Sequence, residues 1–512
     1  MKTLLALLFA FVLCNQVFAQ SSADSLIRTD LIVPARFQAL FDSAHTVLIP
    51  AGFRCSVFYA GNLGGPRSLA IDPNGRVCVA DRDRSMILAL PDPKHKGYAD
   101  TTILLANDDS NAHGFAFFNG ALYTAAANFV RKYEHQNGAG LYQDSSVFIP
   151  NIPYKAEGTP NHTTRTILFD TVGKHIYISV GAPCNACREI DTERAAILRF
   201  GLDGGGRTLY ATGLRNAVGL TMDYTTNTLW ASVAERNALG EDLPGEPILR
   251  VTQNGFYGWP LAYGDHQWDN FQSTAEYKAM LPITHADSVK VANMTVPDMF
   301  VPAHTTPLGV AVYHASQFPA EYQSNLFITL HGSAKAEDGR LVANGSSIVR
   351  AIPDGSKWIL KDFALGFLTD SINYKRWARP CGIVIDSEGN IYFSSDNADA
   401  HTPPAVYKIS YVGAGSVQSL GTSYHATTLT TYPNPVDRIC TFELYGEMQS
   451  TGSLLITDVV GRTIASITTT AASETPGTTR FTFDMSRLAP GIYFAQLQSK
   501  LGVVRSQFVI VH

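Results

Sequence analysis

The sequence predicts an all-β protein in which a six-bladed β-propeller is followed by a small C-terminal β-sandwich. Six segments each combine an apolar run, a turn rich in Asn, Asp and Gly, and a second apolar run, which is the pattern of a β-hairpin. They recur roughly every 45 to 90 residues, a period typical of propellers, whose blades each contain such a hairpin. A β-sandwich with coincidental hairpins is the alternative. The hairpins start at Leu69, Phe115, Thr166, Leu220, Val310 and Ile383.

Length and composition indicate two packed domains and exclude one class of partner. The chain has 512 residues, more than a single core needs. Hydrophobic residues make up 45% and charged residues 16% of it, which argues against disorder. The formal net charge is -5 and no basic cluster stands out, so we expect no nucleic-acid partner.

The first residues have the pattern of a secretory signal peptide, residues 1–19. Lys2 supplies the positive end, Leu4 to Leu13 form the apolar stretch, and Ala19 precedes the cleavage site at Gln20. The apolar run is short for a membrane span, and no other segment could span a bilayer. We therefore expect an exported protein without a membrane span.

Cysteine spacing leaves three interpretations open. Six cysteines remain after cleavage, and Cys184 and Cys187 are the only close pair. They could form a local disulfide in an oxidising compartment, stay free thiols, or bind a metal with ligands from elsewhere.

The amino-acid composition and the hydrophobic pattern of the chain change after Tyr411. Residues 413–430 are rich in Gly, Ser and Thr, as a linker is. Residues 431–512 return to short alternating strands, which predict a small β-sandwich.

The propeller segment, residues 31–412, resembles the soluble PQQ-dependent glucose/sorbosone dehydrogenases, whose fold is a six-bladed propeller. PQQ is pyrroloquinoline quinone. Several motifs occur together and in the family's order. They begin at Asn161 (Asn-His-Thr), Cys184 (Cys-Asn-Ala-Cys-Arg-Glu), Gly213 (Gly-Leu-Arg-Asn), Tyr257 (Tyr-Gly-Trp-Pro) and Arg379 (Arg-Pro).

The tail resembles the C-terminal sorting domain of the type IX secretion system. The matching pieces start at Tyr432 (Tyr-Pro-Asn-Pro), Asp458 (Asp-Val-Val-Gly-Arg) and Leu488 (Leu-Ala-Pro-Gly-Ile-Tyr). This resemblance implies a Gram-negative source, the type IX secretion machinery as a partner, and a secreted or cell-surface location. A generic carbohydrate-binding sandwich is the alternative.

His162 is the candidate catalytic base. It follows a turn and precedes a strand, and an imidazole suits removal of a hydroxyl proton near neutral pH. A loop histidine that bonds only to backbone is the alternative from the residues alone. The resemblance favours the base, because the family's base lies in this motif.

Cations in several loops are candidates for binding the cofactor. The resemblance implies that Arg215 and Asn216 contact the quinone oxygens, with Arg215 also stabilising the charge that develops during reaction. Arg379 and Lys335 are expected to bind the carboxylates of the cofactor. Arg340 and Arg376 are further candidates for that role, and Arg67 and His113 could also line the mouth of the propeller.

Two further motifs complete the expected site. The resemblance implies that backbone carbonyls of Arg236, Asn237 and Ala238 bind Ca²⁺, although related sequences often have Asp where this chain has Asn237. An acidic surface loop is the alternative. Tyr257 and Trp259 could stack on the planar cofactor or equally pack the edge of a blade.

Together, the resemblance implies an exported quinoprotein dehydrogenase with PQQ and Ca²⁺ as cofactors. It would oxidise a sugar or related alcohol by hydride transfer to PQQ and pass the electrons to an external acceptor that the sequence does not identify. A non-catalytic propeller that binds glycans or proteins is the main alternative. A propeller hydrolase of the lactonase type is a third, but it would need a set of carboxylates at the strand starts that this sequence lacks.

Overall fold

The computed structural model forms two compact units, one of residues 27–422 and one that contains residues 423–512. The predicted signal peptide, residues 1–19, lies outside the described residues, as does most of the predicted linker. The structure describes residues 26–107, 113–154, 162–237, 239–240, 242–332, 344–370, 375–396, 402–413, 428–432, 436–445, 451–458, 463–470, 478–499 and 502–511.

The first unit is built from β-sheets that are antiparallel except where β15 pairs parallel with β19, so the all-β prediction is confirmed. Its early strands are short and bounded by Gly, Asn and Asp turns. They are β1 Leu26–Asp30, β2 Thr46–Pro50, β3 Phe53–Ala60, β4 Pro66–Ile71, β5 Val77–Asp81, β6 Met86–Leu90, β7 Ile103–Asn107, β8 Gly114–Phe118, β9 Ala121–Ala125, β10 Val130–Gln136, β11 Tyr142–Ile149, β12 Ile167–Asp170, β13 His175–Val180, β14 Ala196–Gly201, β15 Thr208–Thr212, β16 Ala217–Asp223, β17 Thr228–Val233 and β18 Glu246–Arg250.

The later strands of this unit continue the same pattern around a helical insertion. They are β19 Gly255–Phe256, β20 Ala262–Tyr263, β21 Gln267–Trp268, β22 Met299–Val301, β23 Pro307–Val312, β24 Leu326–Leu330, β25 Ser347–Asp354, β26 Lys357–Ala364, β27 Leu368–Asp370, β28 Lys375–Arg376, β29 Pro380–Ile385, β30 Ile391–Ser395 and β31 Ala405–Tyr411. The helices are α1 Ala275–Lys278 and α2 His285–Ala292, with short 3-10 turns at Ala35–Leu40, Arg82–Arg84 and Ala320–Tyr322.

In the described part of the first unit, six sheets of four or five strands form a ring. Each begins with an inner strand that contacts the inner strands of the two neighbouring sheets, and the sixth contacts the first. The inner strands are β4, β8, β12, β16, β23 and β29. The sheets are β4-β5-β6-β7, β8-β9-β10-β11, β12-β13-β14-β15-β19, β16-β17-β18-β22, β23-β24-β25-β26 and β29-β30-β31-β3.

Glycines let the inner strands approach one another closely. A Cβ on Gly382 would lie 2.3 Å from the carbonyl oxygen of Arg67, and one on Gly219 would lie 2.7 Å from that of Leu308. Real side chains cannot occupy such space, so these positions require glycine. Hydroxyl groups of the second strands bridge the same gaps, as where Ser232 donates to the carbonyl of Leu308 at 3.4 Å.

All six inner strands start at the same end of the ring, which we call the mouth. The start of β8 contacts the start of β12, since a Cβ on Gly114 would lie 2.4 Å from the carbonyl oxygen of Arg165. The hydroxyl of Thr166 in turn donates to the carbonyl of Val218, at the start of β16. A cavity of about 80 Å³ on the ring axis is lined by residues of all six inner strands or of the positions just before them.

The ring is closed by a strand from the N-terminal part of the chain. β3 pairs antiparallel with β31, with Ser56 opposite Lys408. The outermost strand of the sixth sheet is therefore supplied from far away in sequence. Apolar residues between this sheet and its neighbours form the largest core cluster, in which the ring of Phe53 contacts those of Phe318 and Phe363.

The helical insertion lies over the loop that contains Cys184 and Cys187. α2 starts with a capping box in which Thr284 and Asp287 exchange hydrogen bonds. Apolar residues of the insertion, including Tyr277 and Met280, pack in one cluster with Ala186. The insertion therefore shields this loop.

The C-terminal unit contains two antiparallel sheets, β32-β33-β36 and β35-β34-β37-β38, that share one apolar cluster. Leu429, Phe442, Ile456 and Phe508 belong to that cluster. The strands are β32 Thr428–Tyr432, β33 Ile439–Tyr445, β34 Thr451–Asp458, β35 Thr463–Thr470, β36 Thr478–Asp484, β37 Gly491–Ser499 and β38 Gly502–Ile510.

Candidate active site at the mouth of the ring

His162 lies at the mouth, just before β12, and has a defined tautomer. Its Nδ1 atom is 2.7 Å from the carbonyl oxygen of Ala182. A carbonyl only accepts hydrogen bonds, so Nδ1 carries the hydrogen and Nε2 keeps its lone pair. Burial, and then the positive charge of Arg215, lowers the pKa of His162 to about 3. The imidazole is therefore neutral at pH 7.

Gly181 brings His162 next to Asn216. A Cβ on Gly181 would lie 2.5 Å from Cβ of His162 and 2.7 Å from Oδ1 of Asn216. Both side chains thus pack directly against the bare Cα of this residue. The structure therefore places two of the predicted site residues side by side.

Arg215 is buried beneath the mouth and is held by oxygen atoms. Its Nη1 donates to the carbonyl of Glu235 at 2.7 Å, and its Nε and Nη2 donate to the backbone and side-chain oxygens of Asn185 at 3.2 and 3.1 Å. Burial lowers the pKa of Arg215 to about 10, which leaves the guanidinium charged at neutral pH. The carbonyl of Arg215 accepts a 2.7 Å hydrogen bond from the N–H of Ala182. Ala182 therefore contacts both His162 and Arg215.

The loop beside Arg215 is closed by a disulfide between Cys184 and Cys187. The first of the three interpretations of this pair is confirmed. Trp259 packs against this disulfide and donates from its indole nitrogen to the carbonyl of Asn185 at 2.9 Å. Trp259 therefore stabilises the loop that contains Asn185.

Tyr257 lies between two sheets of the ring rather than in the mouth. Its ring is buried in the cluster shared by the third and fourth sheets. Its hydroxyl donates to the carbonyl of Arg250 at 2.7 Å and accepts from the N–H of Thr252 at 2.9 Å. Of the two roles open to Tyr257, the geometry favours packing.

Arg379 belongs to a group of four side chains at the mouth that are joined by hydrogen bonds and ion pairs. Arg379 Nη2 donates to Nδ1 of His331 at 2.9 Å, so Nε2 of His331 carries the hydrogen and donates to Asp396 at 2.8 Å. Asp396 also pairs with Arg67 at 2.6 Å. Burial alone would raise the pKa of this carboxyl, but the hydrogen bond from His331 and the charge of Arg67 hold it well below its usual range. Two guanidinium groups therefore face one carboxylate, and this group of four side chains has a net positive charge.

His113 is buried at the same end of the ring, just before β8. Burial, followed by the charges of Arg67 and Arg82, lowers its pKa to about 3. Within the described part of the chain, Nδ1 of His113 and Nε of Arg67 are buried without a hydrogen-bond partner. The mouth thus has donor capacity that the described side chains do not use.

The loop expected to bind calcium is only partly described. The Arg236 guanidinium is fully buried and pairs with Asp269 at 3.2 Å. The carbonyl of Asn237 accepts hydrogen bonds from Tyr277 at 2.9 Å and from Asn185 at 3.1 Å. Both lone pairs of that oxygen therefore have protein donors. The predicted ligand Ala238 and the predicted cofactor-binding Lys335 lie outside the described residues.

Comparison with known proteins places this ring in a family. Residues 48–400 match the family model described as TrAA12-like, and the chain belongs to that family. Residues 430–511 match the model described as a secretion system C-terminal sorting domain. The resemblance to PQQ-dependent sugar dehydrogenases with a type IX sorting tail is confirmed.

Among curated proteins, the chain is similar to a pyrroloquinoline quinone-dependent sugar dehydrogenase of Hypocrea jecorina, with 23% identity over 77% of this chain and 94% of the relative. It is also similar to aldose sugar dehydrogenase YliI of Escherichia coli, with 25% identity over 41% of this chain and 60% of the relative. An uncharacterized protein of Borreliella burgdorferi is 22% identical over 73% of this chain and 95% of that protein.

Two solved structures share the fold. The Trichoderma reesei enzyme of carbohydrate-active family AA12 aligns with a TM-score of 0.58 and 20% identity over 71% of this chain and 97% of its own. The PQQ domain of pyranose dehydrogenase from Coprinopsis cinerea aligns with a TM-score of 0.57 and 18% identity over 72% of this chain and 97% of its own.

The side chains at the mouth fit an anionic quinone. PQQ has three carboxylates, and guanidinium groups bind carboxylates with charge-assisted hydrogen bonds. Arg67 and Arg379 outnumber the single carboxylate of Asp396, and Nε of Arg67 is one of the unused donors noted above. Arg215 and Asn216 provide a cation and an amide beside His162. The described part of the 235–237 loop offers few free oxygens for a cation.

Two residues with prominent contacts were not predicted. Asn185 was visible inside the Cys184 motif, but its bonds to Arg215 and Asn237 join distant parts of the chain. Asp396 directly follows the second strand of the sixth hairpin, and its partners Arg67 and His331 lie at the first and fifth sheets. A single acidic residue after a strand gives no signal of partners that lie so far away in the sequence.

Proposed function

We propose that this chain is an exported PQQ-dependent dehydrogenase that oxidises a sugar or related alcohol at the mouth of a six-bladed propeller. Membership of the TrAA12-like family supports an oxidoreductase, and the ring of six sheets supports the propeller assignment. The observation that carries the proposal is the neutral His162, with its Nε2 lone pair available, next to Asn216 and the buried cation Arg215.

The proposed chemistry divides between the cofactor and the chain. Bound PQQ would supply a two-electron acceptor that takes hydride from the alcohol carbon. His162 Nε2 takes the hydroxyl proton, because Nδ1 is already committed to the Ala182 carbonyl. Arg215 stabilises negative charge that develops beside it, since its position is fixed before the reaction. Arg379 and Arg67, with Lys335 as a further candidate, would hold the cofactor carboxylates.

Calcium enters the proposal through the loop of Arg236, Asn237 and Ala238. A calcium structure exists for the Trichoderma reesei AA12 enzyme, which supports testing the ion here. In this chain the carbonyl of Asn237 would have to exchange its hydrogen bonds with Tyr277 and Asn185 for a metal bond. We therefore assign no catalytic step to the ion.

The proposed location is outside the cell or on its surface. The C-terminal match to a secretion system sorting domain supports passage through the type IX machinery. Residues 1–19 would direct the first export step, residues 413–430 would act as a linker, and residues 431–512 would form the sorting sandwich. Within the described part of the chain, no helix is long and apolar enough to cross a membrane.

Reconstitution tests the proposed function directly. Purified protein is titrated with PQQ in the presence of Ca²⁺ or a chelator, and binding is followed by absorbance. Reduction of an artificial dye is then measured with a panel of aldoses and other alcohols. We expect saturable binding and sugar-dependent dye reduction. Failure to bind PQQ would overturn the proposal, and binding without dye reduction across the panel would favour the non-catalytic alternative.

A further inference from the structure

We propose that Asn185 is the positioning residue for Arg215, and that the disulfide between Cys184 and Cys187 holds Asn185 in place. This inference rests on the proposed function, because it concerns the arginine assigned to stabilise charge there. Asn185 itself is not a catalytic residue in this scheme. It acts by fixing where the guanidinium lies.

Asn185 makes two hydrogen bonds to one guanidinium group. Its backbone oxygen accepts from Arg215 Nε at 3.2 Å, and its side-chain oxygen accepts from Arg215 Nη2 at 3.1 Å. The guanidinium is planar, so contacts at two of its nitrogens define both its position and the orientation of its plane. The 2.7 Å bond from Nη1 to the carbonyl of Glu235 adds a third point.

The same amide side chain also fixes the neighbouring loop. Its Oδ1 accepts from the backbone N–H of Asn237 at 2.8 Å, and its Nδ2 donates to the carbonyl of Asn237 at 3.1 Å. A side-chain amide carries its acceptor oxygen and its donor nitrogen on separate atoms, so it can make both bonds at once. The loop that supplies Glu235 is thereby tied to the residue that holds Arg215, and the three contacts support one another.

Asn185 is itself restrained on both sides. It lies within the four-residue loop that the disulfide closes. The indole of Trp259 donates to its carbonyl at 2.9 Å, and Glu276 from α1 accepts from the N–H of Ala186 at 2.9 Å. The loop is therefore a rigid support in the oxidised protein. Reduction of the disulfide by a dithiol, which is oxidised in exchange, would give two thiols and release this restraint.

Three variants separate positioning from general stability. Asn185→Ala removes the amide contacts, and the double variant Cys184→Ser/Cys187→Ser keeps Asn185 but opens its loop. Asn325→Ala is the matched control, because Asn325 is buried and its Nδ2 donates to two carbonyls near β24, in the fifth sheet. Melting temperature, PQQ affinity, kcat and the KM for sugar are measured for each protein.

We expect Asn185→Ala to lower kcat by about 10- to 100-fold, because a small displacement of a catalytic group has effects of that size. The KM for sugar should change little. The double cysteine variant should lie between Asn185→Ala and the wild type. Asn325→Ala should lose thermal stability with its kcat retained. If the kcat of Asn185→Ala lies within about twofold of the kcat of Asn325→Ala, the inference is overturned.

A crystal structure of Asn185→Ala decides the inference even if the wild-type protein reduces no dye. In that case the proposed function has failed by itself. We expect the Arg215 guanidinium to leave the carbonyl of Glu235 and the 235–237 loop to shift. An unchanged guanidinium in the variant would show that Asn185 does not position it.

Discussion

The Nδ1 atom of His162 lies 2.7 Å from the carbonyl oxygen of Ala182, and this contact determines which ring nitrogen can act as a base. The N–H of the same Ala182 donates to the carbonyl of Arg215. One backbone residue therefore links the proposed base to the proposed cation. This link fixes the imidazole against the backbone of Arg215, while the guanidinium at the end of that side chain is held by its bonds to Asn185 and Glu235.

Removal of the imidazole should abolish turnover and retain the cofactor. We expect His162→Ala to lower kcat by about 10²- to 10⁴-fold, which is the usual contribution of a general base. PQQ affinity, measured by absorbance titration, should stay close to that of the wild type. His135→Ala is the control, because His135 is exposed on the second sheet and its ion-pair partner among the described residues is the exposed Asp144. Retained turnover in His162→Ala would contradict the assignment.

A single methyl group beside His162 should disturb the site without removing any functional group. Gly181→Ala would put a Cβ 2.5 Å from Cβ of His162, so the imidazole must move. We expect kcat to fall by about tenfold or more, as for other small displacements of catalytic groups. Gly138→Ala is the matched control, since no atom lies within 4 Å of its added Cβ. Equal kcat values for the two variants would contradict the close packing described here.

The buried carboxylate that joins the mouth cations should be important for stability. Asp396→Asn leaves Arg67 and His331 without their charged partner, and loss of one member of a buried ion pair typically destabilises by about 3 to 5 kcal/mol. Urea unfolding followed by tryptophan fluorescence measures this loss. Asp100→Asn, which breaks only the exposed pairs with Arg36 and Lys96, should change stability little. An equal loss of stability in the two variants would argue against the contacts of Asp396 with Arg67 and His331.

The pH dependence of stability should report the buried His113. Its pKa is lowered from 6.5 to about 3, so below pH 6.5 the unfolded state binds a proton that the folded state does not. This residue therefore decreases stability as pH falls, with a slope of about 1.4 kcal/mol per pH unit for one proton. His113→Gln should gain about 2 kcal/mol relative to the wild type between pH 7.5 and pH 5.0.

The His113 comparison isolates one group. The charges of Arg67, Arg82 and Asp396 face His113 in both proteins, so their own titration cancels in the difference. Free energies of unfolding from urea titrations at each pH give the result. A difference between wild type and variant that stays constant with pH would show that His113 binds its proton equally in the folded and unfolded states, so that folding does not lower its pKa.

Much of the ring could be predicted from hydrophobic periodicity. Each of the six predicted hairpins corresponds to the first two strands of one ring sheet, from β4-β5 at Leu69 to β29-β30 at Ile383. The second strand of each hairpin is almost fully buried and strongly apolar, as in β5, β24 and β30. Outer strands such as β11 are largely exposed and carry a weak pattern. The pairing of β3 with the sixth sheet could not be predicted, because no local signal specifies a partner so distant in sequence.

The candidate site was predictable only where a motif and a strand start coincide. His162, Arg215 and Asn216 precede inner strands, and the ring brings those positions to one end. The role of Asn185 depends on partners 30 and 52 residues away, so spacing along the chain carries no information on it. Tyr257 shows the opposite case, since an aromatic ring next to a motif can serve packing alone.

The pairing of β3 with β31 has a consequence for how this protein matures. Ser56 and Lys408 are 352 positions apart, so the toroid cannot be completed until nearly the whole of the first unit has been synthesised. Contacts this distant in sequence form slowly. A chain that emerges from the ribosome therefore remains open-ended for most of its synthesis. An unfinished toroid would suit the proposed export route, in which residues 1–19 would direct the chain across a first membrane before it becomes compact.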